Sequence, residues 1–488
     1  MKYISTRGGV QGVSSAAAIK KGIADNGGLF VPDSIPLLTE ELFSRIAGLD
    51  YAGRAAEILS LFLPDYDKDE LLADCRAAYK ESSFSGGAAP VSKLGEGRYM
   101  LELFHGPTCA FKDMALQIMP RLLSRALTST GEDHTAYILV ATSGDTGKAA
   151  LEGYRDIDGV RIKVFYPVDG VSDIQKLQMS TQEGGNVSVQ AINGNFDDAQ
   201  NGVKKIFGDA ALNRELYGKG YILTSANSIN WGRLAPQIVY YISAYADLCA
   251  QGVIKAGDRI AYCVPTGNFG NIFAGYIAYR MGLPVSKFIC ASNENNVLTD
   301  FLQTGVYDRN RVFRQTVSPS MDILISSNLE RLLYFTVGAG KTAAYMRQLA
   351  STGRYEISRE ELLKIGAIFE GGCTSEAQTL SEIKDTYEQT GVLIDTHTAV
   401  AARQAREYAE RTGQTVVTVS TASPYKFAPA VLEALGHKVR GDRGVLSPLY
   451  ELSELTGTKI PAPLASLSTK KVRFSGSIDP SEMAGSLV

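Results

Sequence analysis

From residue 135 the chain alternates short apolar runs with amphipathic stretches, and this alternation constrains the fold more than any other feature. Thr135 to Ala141 reads as a strand, Thr142 to Gly147 as a loop and Lys148 to Tyr154 as a helix. Strands at Arg161 to Tyr166, Val187 to Ile192 and Tyr221 to Thr224 follow, separated by helices at Ile174 to Thr181 and Asp197 to Phe207, and a long helix runs from about Trp231 to Ala250. Apolar strands joined by helices pair side by side through right-handed crossovers, which gives a parallel sheet covered on both faces. A second block opens at Arg259 with strand Ile260 to Val264, loop Pro265 to Asn271, helix Ile272 to Met281 and strand Lys287 to Cys290. Strand Val416 to Ser420 and helix Lys426 to Leu435 come late.

At 488 residues the chain exceeds what one core serves. Expected are a helical N-terminal domain at 1–94, α/β domains at 95–255 and 256–440, and an irregular strap at 441–488. A net charge of −3 without basic clusters argues against nucleic acid. Neither a secretory h-region nor a run long enough to span a membrane is present in the sequence. The six cysteines show no CxxC pair and no metal-ligand spacing with the four histidines. No metal is expected, and the thiols read as reduced in a cytoplasmic protein whose partners are small molecules.

Four loops carry the chemistry. In Gly106-Pro107-Thr108-Cys109-Ala110-Phe111-Lys112-Asp113-Met114, Lys112 sits at a helix start between apolar neighbours. Desolvation there would lower its pKa and make the amine nucleophilic near neutral pH, although a lone lysine is far more often an exposed residue on an ordinary first turn. Thr142-Ser143-Gly144-Asp145-Thr146-Gly147 precedes a helix and could receive a carboxylate or phosphate. With Thr142 and Ala149 where a P-loop needs Gly and Ser or Thr, that motif fails. Pro265-Thr266-Gly267-Asn268-Phe269-Gly270-Asn271 contains no Lys or Arg, so a phosphate held there would rely on backbone amides and a helix terminus; a bare Gly-rich turn is the alternative. Ser225-Ala226-Asn227-Ser228-Ile229-Asn230-Trp231-Gly232-Arg233 puts an arginine one turn into a helix, suited to an anion or to solvent. Thr421, after the last strand, could point a hydroxyl into the same crevice or form an ordinary turn.

Taken in order, HGPTxAFKD at 105 to 113, TSGDTG at 142 to 147, SANSIN at 225 to 230, GNFGN at 267 to 271 and the STASPYKF turn at 420 to 427 resemble the threonine synthase family. These are pyridoxal-phosphate enzymes of fold type II, the tryptophan synthase β-like group. The resemblance implies two parallel-rich twisted sheets flanked by helices. It implies that Lys112 joins the cofactor aldehyde and later shuttles protons, and that Gly267, Asn268, Phe269, Gly270 and Asn271 cradle the cofactor phosphate. Thr421 would meet the pyridine nitrogen. Ser143, Gly144, Asp145 and Thr146 would hold the substrate amino acid, and Asn227, Ser228 and Arg233 its phosphate. Ser423 stands where many relatives carry His, so no histidine role transfers.

The implied reaction is conversion of O-phospho-L-homoserine and water to L-threonine and phosphate, with Arg233 and Lys148 stabilising the departing charge. Its rivals are a lyase giving 2-oxobutanoate and a non-catalytic ligand-binding relative. His105 reads as a supporting or packing residue and His397 as part of a helix cap. Related enzymes occur as monomers and dimers, and either state is expected.

Overall fold

The computed structural model describes residues 1–142, 144–169, 171–440 and 444–487. Among them, the larger sheet has six strands in the order Phe369–Cys373, Val285–Ser292, Ile260–Pro265, Val416–Ser420, Arg98–Glu102 and Val91–Gly95, all parallel except the last, which is antiparallel to its neighbour. The smaller sheet is fully parallel, in the order Ser477–Ile478, Val187–Ile192, Val160–Pro167, Thr135–Ala141 and Tyr221–Thr224. The alternating pattern thus produces the two helix-flanked parallel sheets it implied. No described helix is long and apolar enough to cross a membrane.

The helix Trp231–Ala250, packed against helices Gly270–Arg280 and Tyr51–Phe62, is buried over most of its circumference because its sequence is apolar nearly all round. Its N-terminus is capped by Asn230, whose side chain accepts from the Gly232 N–H at 2.8 Å and donates to the Ile19 carbonyl at 2.9 Å. The N-terminal segment is helical as expected, with Ser14, Thr39, Asp50 and Asp67 capping successive helices. Its Thr6 and Arg7 close on Glu330, which begins a long helix: Thr6 Oγ1 donates at 2.6 Å and the guanidinium makes two contacts at 2.9 and 2.8 Å. The C-terminal tail is not irregular throughout. It carries helices Ser447–Thr456 and Ala462–Ala465, and its strand Ser477–Ile478 extends the smaller sheet.

Candidate active site

The Lys112 loop and the Thr421 turn are stitched together by backbone. Phe111 N–H donates to the Thr421 carbonyl at 2.8 Å, Ser423 N–H to Cys109 O at 3.0 Å, and Ala110 bridges Ala422. Asp113 anchors the loop from within, accepting Thr108 N–H and Oγ1–H, each at 2.8 Å. Burial pushes the Asp113 carboxyl up to about 7 against those bonds. Lys112 is partly buried, 5.0 Å from the centroid of the Phe111 ring, and its ammonium has no hydrogen-bond partner among the described residues. Burial pulls its pKa down to about 8; Asp145 opposes this, while Arg233 and Lys426 add to it. Burial thus acts on this amine in the direction the sequence suggests, and the Thr421 hydroxyl makes no hydrogen bond among the described residues.

Ser143 lies outside the described residues. Gly144, with φ of +144°, turns the chain into helix Asp145–Tyr154, and a Cβ there would meet the Gln175 amide at 2.5 Å. Thr142 Oγ1 accepts from the Gly144 and Gly147 N–H groups, both at 3.0 Å, which closes the loop; Thr146 remains partly exposed on the first turn. Asp145 is buried and accepts from Gln175 Nε2 at 2.8 Å and Lys426 Nζ at 2.5 Å. Burial disfavours its charge, yet Lys426 and then Lys112 outweigh this and hold the carboxyl well below its ordinary range.

The loop after Ile260–Pro265 has the shape of an anion cradle. Phe269 takes a left-handed conformation, φ +60°, at the N-terminus of helix Gly270–Arg280. Among the described residues none of the backbone N–H groups of 267–271 donates to a protein acceptor. Asn271 is buried, its Oδ1 receives the Tyr240 and Tyr241 hydroxyls at 2.6 and 2.7 Å, and its Nδ2 is left without a partner. The opposite wall is fixed: Asn328 donates twice to the Asn268 carbonyl at 3.0 Å, and a Cβ on Gly267 would meet Ser320 O at 2.9 Å. Unspent amides, an orphan amide group and room kept by glycine fit the phosphate of pyridoxal phosphate, and Lys112 fits its aldehyde.

Arg233 is 4% exposed and has no carboxylate partner among the described residues. Nη1 donates to Ala226 O at 2.6 Å and Nε is buried and unbonded. Burial lowers its pKa to about 10, which leaves it charged at neutral pH. Asn227 is exposed and Ser228 partly so, on the turn that leads to this arginine. Lys148, expected as a second cation for the departing phosphate, is already neutralised: Glu152 holds its ammonium at 3.0 Å and Gln182 also binds it. The i,i+4 spacing of Lys148 and Glu152 was the sequence signal for that pair. His105 binds Glu102 at 2.7 Å, in keeping with a supporting role.

Sequence reasoning missed four contributors. Lys426 and Gln175 hold Asp145. Arg331, fully buried, donates to Phe30 O at 3.1 Å and Ile229 O at 2.6 Å and also binds Asn328, tying the SANSIN turn to the cradle wall. His397 accepts the Ser320 N–H at 3.1 Å. Apart from Arg331 with Asn328, three residues apart, these pairings join segments distant in sequence, so no motif spacing announced them.

Against known families, the pyridoxal-phosphate-dependent enzyme model matches residues 91–358. Models of the threonine synthase N terminus and C-terminal region match residues 2–79 and 398–479. Threonine synthase of Pseudomonas aeruginosa is 39% identical over 471 residues, covering 95% of this chain and 97% of that protein. The threonine synthase-like 1 protein of Macaca fascicularis is 41% identical over 459 residues; the match takes in 89% of this chain but 61% of that longer relative. Among solved structures, the PLP-bound threonine synthase from Brucella melitensis superposes with a TM-score of 0.87 at 36% identity, covering 98% of this chain and 97% of that one. Threonine synthase from yeast gives 0.87 at 32% identity, with 100% and 98% covered. The chain belongs to the threonine synthase family of pyridoxal-phosphate-dependent enzymes.

Proposed function

We propose that this chain converts O-phospho-L-homoserine and water to L-threonine and phosphate. The observation that carries the reading is Arg233, a buried guanidinium with no carboxylate partner and an unbonded Nε. A buried charge left unpaired costs several kcal/mol, roughly 3–5 where a partner is removed. An anionic substrate group removes that cost, and a phosphate ester supplies one where serine or threonine would not. Negative charge grows on the leaving oxygen, and a formal cation stabilises it more than neutral amides do. The uncharged cradle at 267–271 suits instead the cofactor phosphate, which stays.

Pyridoxal phosphate, when bound, supplies the conjugated electron sink that makes removal of protons from the substrate carbons feasible. Lys112, as its amine, takes and returns a proton at the substrate α-carbon; a pKa near 8 makes it competent in both directions near neutral pH. The Ser143–Thr146 loop receives the substrate carboxylate at its helix terminus, with Asp145 kept anionic by Lys426. Asn227, Ser228 and Arg233 bind the ester phosphate, and Thr421 offers its hydroxyl to the cofactor ring nitrogen. The free cysteines support a reducing, cytoplasmic setting, and a monomer or homodimer completes the reading.

The test is a product assay on phosphohomoserine that separates threonine from 2-oxobutanoate, run beside serine and threonine as substrates. Threonine should predominate. Predominant oxo acid, or equal turnover of serine, overturns the proposal.

A further inference from the structure

A second polar cavity, of about 150 Å³, lies between helix Asp145–Tyr154, helix Asp173–Ser180 and the C-terminal tail. Lys148, Glu152 and Gln178 face it from the helices, Pro463, Leu467 and Lys470 from the tail, and Pro107 of the Lys112 loop closes one side; neither Lys112 nor Arg233 lines it. At about 30 Å³ for each water it has room for several, or for one small ion with its hydration.

Its polar groups are unequally satisfied. Glu152 is spent on Lys148 at 3.0 Å, Gln182 at 3.1 Å and Arg155 at 3.3 Å. Lys148 uses two of its three hydrogens, on Glu152 and Gln182. Lys470 has no carboxylate partner among the described residues. Gln178 is 1% exposed, and its buried Oε1 has no partner among the described residues. The cavity therefore holds a positive charge in excess, ammonium hydrogens on two lysines, and one acceptor that wants a donor. A buried acceptor left in this state is costly, and charged donors are the strongest partners available to an oxyanion.

We infer that this cavity binds a small phosphate-class oxyanion that carries its own hydrogen, at a site separate from Arg233. Its oxygens accept from Lys470 and from the third hydrogen of Lys148, while its O–H donates to Gln178 Oε1. Sulfate, fully deprotonated, cannot make the last contact. A zwitterionic amino acid makes both kinds but leaves the excess charge unmatched. Occupancy clamps the tail, already anchored by Arg473 to the Gln182 carbonyl at 2.7 Å, onto the helix that begins at the substrate loop.

Titration calorimetry of inorganic phosphate into the holoenzyme tests this. Two classes of site are expected, and Lys470→Ala should weaken one by about tenfold or more while the cofactor spectrum stays unchanged. Lys470→Glu should abolish that class, and sulfate should not compete for it. The Arg233-dependent class bears on the proposed function alone. Identical phosphate binding by wild type, Lys470→Ala and Lys470→Glu overturns the inference, as does Lys470-dependent binding of threonine in place of phosphate.

Discussion

Lys426 and Asp145 form a buried ion pair at 2.5 Å that joins the turn after the last strand of the larger sheet to the first turn of helix Asp145–Tyr154. Lys426 also donates to Thr108 O at 3.1 Å, so one ammonium braces the Lys112 loop and the start of that helix together. The pair keeps Asp145 ionised a short way from Lys112, whose own charge it partly supports.

Lys426→Met strands the Asp145 carboxylate in a low-dielectric site. Unfolding free energy should fall by about 3–5 kcal/mol, and the double variant Lys426→Met with Asp145→Asn should recover part of it. The Asp145 carboxyl lies below its ordinary range when folded, so its contribution is full above that range and is lost as pH falls below it. Denaturant titrations from neutral to acid pH should therefore show the gap between wild type and the double variant closing toward low pH. A constant gap would contradict the pair's electrostatic role.

Lys112 in the cofactor-free protein should titrate near pH 8. Between that value and the ordinary lysine value of about 10.4 the unfolded chain holds more protons than the folded one, so the group makes stability rise with pH across that window. The rate of reductive methylation at Lys112, followed by peptide mass against pH, gives the midpoint; an ordinary lysine midpoint sinks the assignment.

His397 braces the wall of the 267–271 loop. Its Nδ1 contacts the helix-capping Asp395 at 2.7 Å, which assigns the proton to Nδ1 and leaves Nε2 to accept from Ser320 N–H, the residue whose carbonyl walls Gly267. His397→Leu should weaken pyridoxal phosphate binding by about tenfold. Affinity for pyridoxal, which lacks the phosphate, should hold. Absorbance titrations with both compounds decide, and equal losses would mean general damage to the fold.

Arg233→Leu removes a buried cation that has no counter-charge among the described residues, so the variant should fold with little loss of stability. Its kcat/KM on phosphohomoserine should drop by about 10²–10³, the scale of losing one donor to a developing oxyanion. Retention of the cofactor on gel filtration should be nearly unchanged. Loss of cofactor in step with activity would place Arg233 in the wrong phosphate site.

The parts of this protein that were legible in its sequence are those where a function and its local structure share one short segment. The strand-to-helix turn at 267–271 shows its glycines, its lack of charge and its helix start within a few residues, and Lys112 sits beside Phe111 in the same way. Alternation of apolar strands and amphipathic helices likewise reports the parallel sheets, because the period of side-chain burial is a local property. The charge of Lys148 is visible in sequence, while its pairing with Glu152, one turn away, and with Gln182 is a matter of geometry.

Residue type and spacing by themselves thus determined the βαβ architecture, the lysine beside Phe111, the uncharged glycine-rich turn at 267–271 and the arginine at the head of the long helix. Only the tertiary structure decided which charges remain available. Folding brings Lys426 onto Asp145, Glu152 onto Lys148 and Arg331 onto carbonyls, yet gives Arg233 no acid among the described residues. The physical reason is that burial makes every unpaired charge expensive, so a site's function lies in the charge that distant segments leave uncompensated.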